Sequence, residues 1–258
     1  MASNSSFIYG KHDFLRSKPY SAIIEAIQML CDNLLLTNEI EIKKYRSLIL
    51  DAIGEEGRLL TNVIDNLHLI IGEQPDVSDN FGHQAKNRFN YVFIKFIKAI
   101  ASFSKPLVLV LEDLQWLDLA SLDLLKVLLS NQIKNLMFIG VYRGVACGAH
   151  QLEELMKFIQ DINISPTEIA LENMGHESIN DLISDSLHFP PLESYSLTVF
   201  VQGKTQGNPF FVKQMLRSLF EKGMITFNCE KQKWQWDDCI NETNGIAENV
   251  LDLLRQKI

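Results

Sequence analysis

Pro106-Leu107-Val108-Leu109-Val110-Leu111-Glu112-Asp113-Leu114-Gln115-Trp116-Leu117-Asp118 is the stretch that decides the fold. Five branched apolar residues end abruptly in two carboxylates. A short apolar run bounded by proline and by charge predicts a strand buried on both faces, as in parallel sheets. Pro106 suits the first position of such a strand, where a missing N–H costs little. The carboxylates then stand at the strand's C-terminal end, where open α/β sheets bind ligands. One acid there can hold Mg²⁺, directly or through water, and the next can orient a water. An acid pair alone reads more simply as the solvated end of a core strand. The weight therefore falls on what surrounds it.

Downstream, Ser121 is a candidate N-cap for a Leu-rich helix over 122–130, apolar almost all round and so deeply packed. Leu136 to Tyr142 predicts a second buried strand, with Arg143 at its end. Residues 150–161 read as a helix and Glu168-Ile169-Ala170-Leu171 as a short third strand. Strands alternating with helices predict a parallel α/β sheet. Upstream, residues 1–18 read as polar and irregular, with one apolar group at Phe7-Ile8-Tyr9. Helices are predicted from Pro19-Tyr20-Ser21 to about Leu36, over 39–53, as short pieces over 57–71, and over 84–103. The stripe Phe89, Phe93, Phe96, Ile97, Ile100 on the last of these is a core pattern.

From about Asn173 the pattern becomes helical, over 176–187 and 193–202. Asn208-Pro209 predicts an N-cap and first turn for a helix over 210–222, stopped by Gly223. A hairpin with a polar tip follows, over 224–228 and 234–237, and then a helix over 246–258.

The composition narrows the function classes. The chain has 258 residues, is 47% hydrophobic, and carries 32 acids against 24 bases for a net charge of −8. It can bury a core, and the charge argues against a general nucleic-acid or anionic-membrane binder. Cys31, Cys147, Cys229 and Cys239 form no CxxC pair and no Cys/His ligand spacing, so free thiols in a reducing, cytoplasmic setting are expected. The N-terminus has no signal-peptide pattern, and no apolar run approaches a membrane span.

An acid pair at a strand end calls for a phosphate cradle, G-x-x-x-x-G-K-[ST] in nucleoside-triphosphatases. The sequence does not contain it. Gly203-Lys204-Thr205 matches only the end of it. Thr198 stands where the first glycine belongs, and Val199-Phe200-Val201-Gln202 is too bulky to form converging amides. Gly10-Lys11 is followed by His12 and fails as well. Arg143 reads either as a solvated strand-end charge or as a guanidinium that grips a terminal phosphate. No Ser/His/Asp pattern or G-x-S-x-G occurs, and nothing favours a paired-carboxylate glycosidase.

Taken together these residues resemble the AAA-type, Orc1-like ATPase domain of the STAND signalling NTPases, in particular versions attached to large protein-kinase and sensor histidine-kinase chains. The resemblance runs from about Ile8 to Ile258. Pro106 to Ser121, with Leu-Glu-Asp-Leu-Gln-Trp-x-Asp-x-x-Ser, resembles a Walker B motif. Residues 138–143 resemble a sensor 1 strand, and Lys204 to Phe211 resemble the G-x-P element of a helical lid. Gly10-Lys11-His12-Asp13 and Asn87-Arg88-Phe89-Asn90 also resemble segments of that family. Two features depart from it. The family places a Walker A strand and loop ahead of the segment resembling Gly10-Lys11, where this sequence has nine residues. Gly144-Val145-Ala146-Cys147 stands where acidic and polar residues are usual.

The resemblance implies an α/β fold, a parallel P-loop NTPase-type sheet without its first strand and P-loop, followed by a helical lid. The implied boundaries are 1–172 for the core, 173–223 for the lid, and 224–258 for a hairpin and helix leading to a further domain. It implies ATP and Mg²⁺ as ligands. Glu112 would serve the metal, Asp113 would polarise the attacking water, Arg143 would sense the γ-phosphate and Pro209 would pack near adenine. Fused signalling or kinase domains, or a protein partner, are implied. The competing expectation is a non-catalytic interaction module that keeps the fold.

Overall fold

The computed structural model describes residues 5–15, 18–76, 83–103, 106–144 and 150–236. The chain divides into two units, Met1–Thr167 and Glu168–Ile258.

The first unit is built on a three-stranded parallel sheet in the order β1 (Ser6–Lys11), β2 (Leu107–Glu112), β3 (Leu136–Gly140). This is an incomplete P-loop NTPase-type α/β arrangement. The register pairs Lys11 with Glu112 and Leu111 with Gly140, so the strands end level with one another. β2 is the buried central strand that its apolar run predicts, starting one residue after Pro106. Between β1 and β2 lie α1 (Ser21–Leu35), α2 (Glu39–Ile53), α3 (Gly57–Thr61), α4 (Leu67–Ile71) and α5 (His83–Ser102). α6 (Leu119–Ser130) joins β2 to β3, and α7 (His150–Asp161) follows. One continuous core binds the sheet to these helices, with Phe93 and Phe96 of the aromatic stripe among its largest fully buried side chains. α1 packs closely on β1. An added Cβ at Gly10 would fall 1.8 Å from the carbonyl oxygen of Ala22, so glycine is what lets the two backbones touch.

Four expectations are corrected. The segment read as irregular contains β1; only Ile8 and Gly10 face inward, so an edge strand with two buried positions left little apolar signal. The segment 168–171 forms no strand, and Ile169 and Leu171 are 78% and 93% exposed. Local β propensity is not enough without a neighbouring strand to pair with. β3 is a half-exposed edge rather than a fully buried strand, with Met137 and then Val141 open to solvent. Among the described residues it has β2 on one side and no strand on the other. Finally, the cap of α6 is Asp118, not Ser121. Asp118 Oδ1 accepts from the amides of Ala120 and Ser121 at 3.0 and 2.9 Å, and Oδ2 accepts from the Ser121 hydroxyl at 2.5 Å. A carboxylate satisfies two orphan amides at once and suits the positive end of the helix, so it outcompetes a hydroxyl three residues on.

The second unit has its own core, formed by α8 (His176–Leu187), α9 (Tyr195–Thr205), α10 (Pro209–Glu221) and a hairpin of β4 (Ile225–Asn228) with β5 (Lys233–Trp236). Asn208 caps α10, accepting from the amides of Phe210 and Phe211, and Pro209 is its first residue, as expected. Gly203, Lys204 and Thr205 form the last turn of α9, which disposes of any phosphate loop there. The helix expected over 246–258 lies outside the described residues.

Candidate functional site

Three strands end in charge at the same level. Lys11 closes β1, Glu112 and Asp113 close β2, and Arg143 follows β3 after Val141 and Tyr142. What converts these ends into one cluster is the backbone at Asp113. Its φ and ψ are 54° and 44°, in the left-handed region, which an L residue occupies at a cost of about 1 kcal/mol. The chain curls there into a 3₁₀ turn over Leu114–Trp116. The Leu114 amide then donates to Val141 O at 3.0 Å, and the Val141 amide donates to Leu111 O at 2.9 Å. The β2–β3 ladder is thereby carried past the formal strand ends. A Cβ at Gly140 would stand 2.5 Å from Leu114 Cδ1, so the leucine side chain lies close over this backbone.

Asp113 is the centre of the cluster, with its side chain 15% exposed. Gln115 Nε2 donates to its Oδ1 at 2.8 Å. Lys11 Nζ lies 3.1 Å from Oδ2, and Arg143 Nε lies 3.5 Å from Oδ1. Burial pushes the carboxyl group up, but the Gln115 hydrogen bond, Lys11 and Arg143 together outweigh it and hold Asp113 below the usual carboxylate range. Both oxygens are engaged. A role as a water-orienting base requires one of them to be released.

Glu112 differs. Its side chain is half-buried and makes no hydrogen bond or ion pair among the described residues. A divalent cation that keeps several waters and shares substrate phosphates needs only one or two protein carboxylates. Glu112 fits that requirement. No cluster of three His, Cys, Asp or Glu side chains occurs among the described residues, so an all-protein metal cage is not what this end of the sheet offers.

Lys11 was missed as a site residue by the sequence reading. The signal was there: an apolar run ending in charge, the same pattern as Leu111-Glu112 and Tyr142-Arg143. Pro209 belongs to the second unit and is described within it.

His12 lies just behind the cluster, 2% exposed. Its amide donates to Glu112 O at 3.0 Å, and its buried Nε2 has no partner among the described residues. Burial lowers its pKa from 6.5, only partly offset by the negative charges of Asp118 and Asp113. A histidine held neutral on folding takes up its proton more readily in the unfolded chain. Stability is therefore complete above pH 6.5 and falls as pH drops through that value toward the depressed folded pKa. The expected slope for one proton approaches about 1.4 kcal/mol per pH unit. Urea melts from pH 7 to 5 should show this decline in the wild type and a flatter profile in His12→Phe. Equal slopes in the two proteins would rule it out. Asp113 acts in a separate window, because a depressed carboxylate contributes above the usual value of 3.8 and is lost only below it.

Comparison with known proteins bears on this geometry. The family described as "AAA ATPase domain" matches residues 2–139. The hybrid signal transduction histidine kinase G of Dictyostelium discoideum is 26% identical over 98% of this chain, which corresponds to 9% of that protein. The peroxide stress-activated histidine kinase mak3 of Schizosaccharomyces pombe is 23% identical over 67% of this chain and 7% of its own length. The chain thus spans less than a tenth of the curated relatives it matches. No solved structure matches it significantly. Among the described residues no helix is long and apolar enough to cross a membrane.

Proposed function

Because the chain belongs to the AAA ATPase domain family, we propose that it is a nucleotide-responsive regulatory domain of a cytoplasmic signalling protein. The observation that carries the reading is the convergence of Lys11, Glu112, Asp113 and Arg143 at the carboxyl ends of three adjacent parallel strands. In this reading Glu112 serves Mg²⁺ and Arg143 contacts the terminal phosphate of ATP. Asp113, once released from Lys11, orients the attacking water. Pro209 and the helices over 173–223 act as a lid that packs near adenine. The Orc1-like and STAND affinities belong to this proposal, as does attachment to kinase or other signalling domains, which the names of the relatives support.

The described strands supply half a site. The connections from β1 to β2 to β3 step across the sheet in one direction, and nucleotides bind where the strand order reverses. A preceding strand along the edge of β3 that is open among the described residues would make such a reversal, and its loop would bring the phosphate cradle beside Arg143.

A non-catalytic interaction module is the second reading. The engaged carboxylate of Asp113 favours it. The two readings share one expectation for this chain. With Mg·ATP it should release phosphate no faster than its Glu112→Ala/Asp113→Ala variant, since positioning is most of the catalysis in phosphoryl transfer. They part on binding. Under the first reading, a fluorescent ATP analogue binds weakly and Arg143→Ala weakens it further. Absence of binding at millimolar nucleotide leaves the module reading.

A further inference from the structure

One side chain touches both halves of the cluster and has been given no role in nucleotide chemistry. Gln115 is 6% exposed, deep for a neutral amide. Its Nε2 donates to Asp113 Oδ1 at 2.8 Å, and its Oε1 accepts the Arg143 amide at 3.2 Å. Both ends of the amide are therefore spent, one on the acid at the end of β2 and the other on the main chain that follows β3. The left-handed turn at Asp113 swings Gln115 into this position. The partners on either side are softer. Lys11 and Arg143 are more than half exposed, and exposed ion pairs hold geometry weakly. A buried amide with both ends bonded is the stiff member of the set.

From this geometry we infer that Gln115 is a positioning residue that couples the carboxylate of Asp113 to the main chain of Arg143. The inference rests on the proposed roles of Asp113 and Arg143 for its functional meaning, but not for its existence. A displacement of the chain at Arg143, such as an anion gripping its guanidinium would cause, is passed to the Asp113 carboxylate through one planar group. Asp113 is thereby biased toward or away from Lys11 by what occupies Arg143. The remaining conspicuous residues of the stretch act locally. Trp116 stacks on Phe14 with ring centroids 4.9 Å apart, and Asp118 and Ser121 cap α6.

The test is a local double-mutant cycle on the whole chain, read by amide hydrogen exchange at Arg143. In the ligand-free protein, Gln115→Met should speed exchange at Arg143 by about fivefold, the factor that one hydrogen bond of ordinary net strength represents. Gln115→Glu keeps an acceptor for Arg143 and discards the donor to Asp113, so it should retain most of the protection. The coupling itself is read with Asp113→Asn. That change should alter Arg143 exchange by about threefold when Gln115 is present and by clearly less in the Gln115→Met background, where only the exposed ion pair between Arg143 and Asp113 still links the two. Exchange at Ile27 in α1 should be the same in all variants and separates this effect from loss of global stability. If Asp113→Asn acts on Arg143 equally with and without Gln115, the coupling does not run through Gln115 and the inference is overturned. A parallel titration with Mg·ATP keeps the outcomes distinct. No shift at any residue would defeat the nucleotide reading, while the ligand-free cycle would still decide the role of Gln115.

Discussion

A chain carrying a strand, a G-x-x-x-x-G-K-[ST] loop and a following helix fused ahead of Ser5 should bind Mg·ATP tightly, where the chain without them holds it weakly. The junction precedes Ser6 so that β1 stays whole. Among the described strands β1 and β3 both have an open edge, and the outer edge of β3, which carries no charge or proline from Leu136 to Gly140 to keep a strand away, is the one where the added preceding strand reverses the strand order. From there its loop faces Arg143, and its amides and lysine hold the β- and γ-phosphates. Glu112 then meets the metal with a carboxylate that no neighbour occupies. In this chimera Asp113→Asn should preserve binding and slow hydrolysis by ~10²-fold or more, the effect of losing a positioned base. Arg143→Ala should erase the preference for ATP over ADP, because only ATP offers a γ-phosphate. Calorimetry and phosphate release measure all three. A folded chimera that binds nucleotide equally well with Glu112, Asp113 and Arg143 all replaced by alanine would remove the site assignment.

Gly10→Ala should be among the most damaging single substitutions in the first unit. Its Cβ would lie 1.8 Å from Ala22 O and 2.6 Å from Ala22 C, and both are backbone atoms that no rotamer change can move. β1 must slide off α1, or α1 must lift from the sheet. Overpacking of this kind costs about 3 kcal/mol, which for a unit of this size lowers the melting temperature by roughly 10 °C. The damage should extend to the cluster, since Lys11 is the next residue and its amide donates to Glu25 Oε2 of α1 at 3.1 Å. Gly203→Ala is the matched control. A Cβ there meets nothing within 4 Å, and alanine in a helix is neutral or stabilising by up to about 1 kcal/mol. Thermal melts of the two variants side by side decide the point, and equal melting temperatures would refute the close-approach explanation.

Much of this architecture was legible in the residues. The apolar run before Glu112 announced the central strand because a strand covered on both faces needs apolar side chains at every position. The bounds of α2, α7 and α8 follow from periodicity and capping, and Asn208-Pro209 opened α10 as its chemistry demands. Edges were harder to read. β1 and β3 each turn one side to solvent, so their side chains report only half of their environment. The segment at 168–171 shows the opposite failure, a strand-like composition with no ladder. In the site, Glu112, Asp113 and Arg143 were found from strand-end charge. Lys11 and Gln115 were not. Lys11 shows the same charge after an apolar run, but its partner is set by strand register, and Gln115 is placed by one left-handed residue.

The stack of Phe14 on Trp116 gives the first unit an optical property. Of the three tryptophans in the chain, Trp234 and Trp236 belong to β5 in the second unit. Replacing those two by phenylalanine leaves a single tryptophan, selectively excited apart from the six tyrosines, adjacent in sequence to Gln115 and 44% open to solvent. Indole emission follows the polarity and quenchers around the ring, and Phe14 packs against that ring at an interplanar angle of 58°. Anything that settles at the strand ends, or shifts the turn after Asp113, changes the water that Trp116 sees. Occupancy of the cluster can thus be followed by the intrinsic light of the protein, with no label attached.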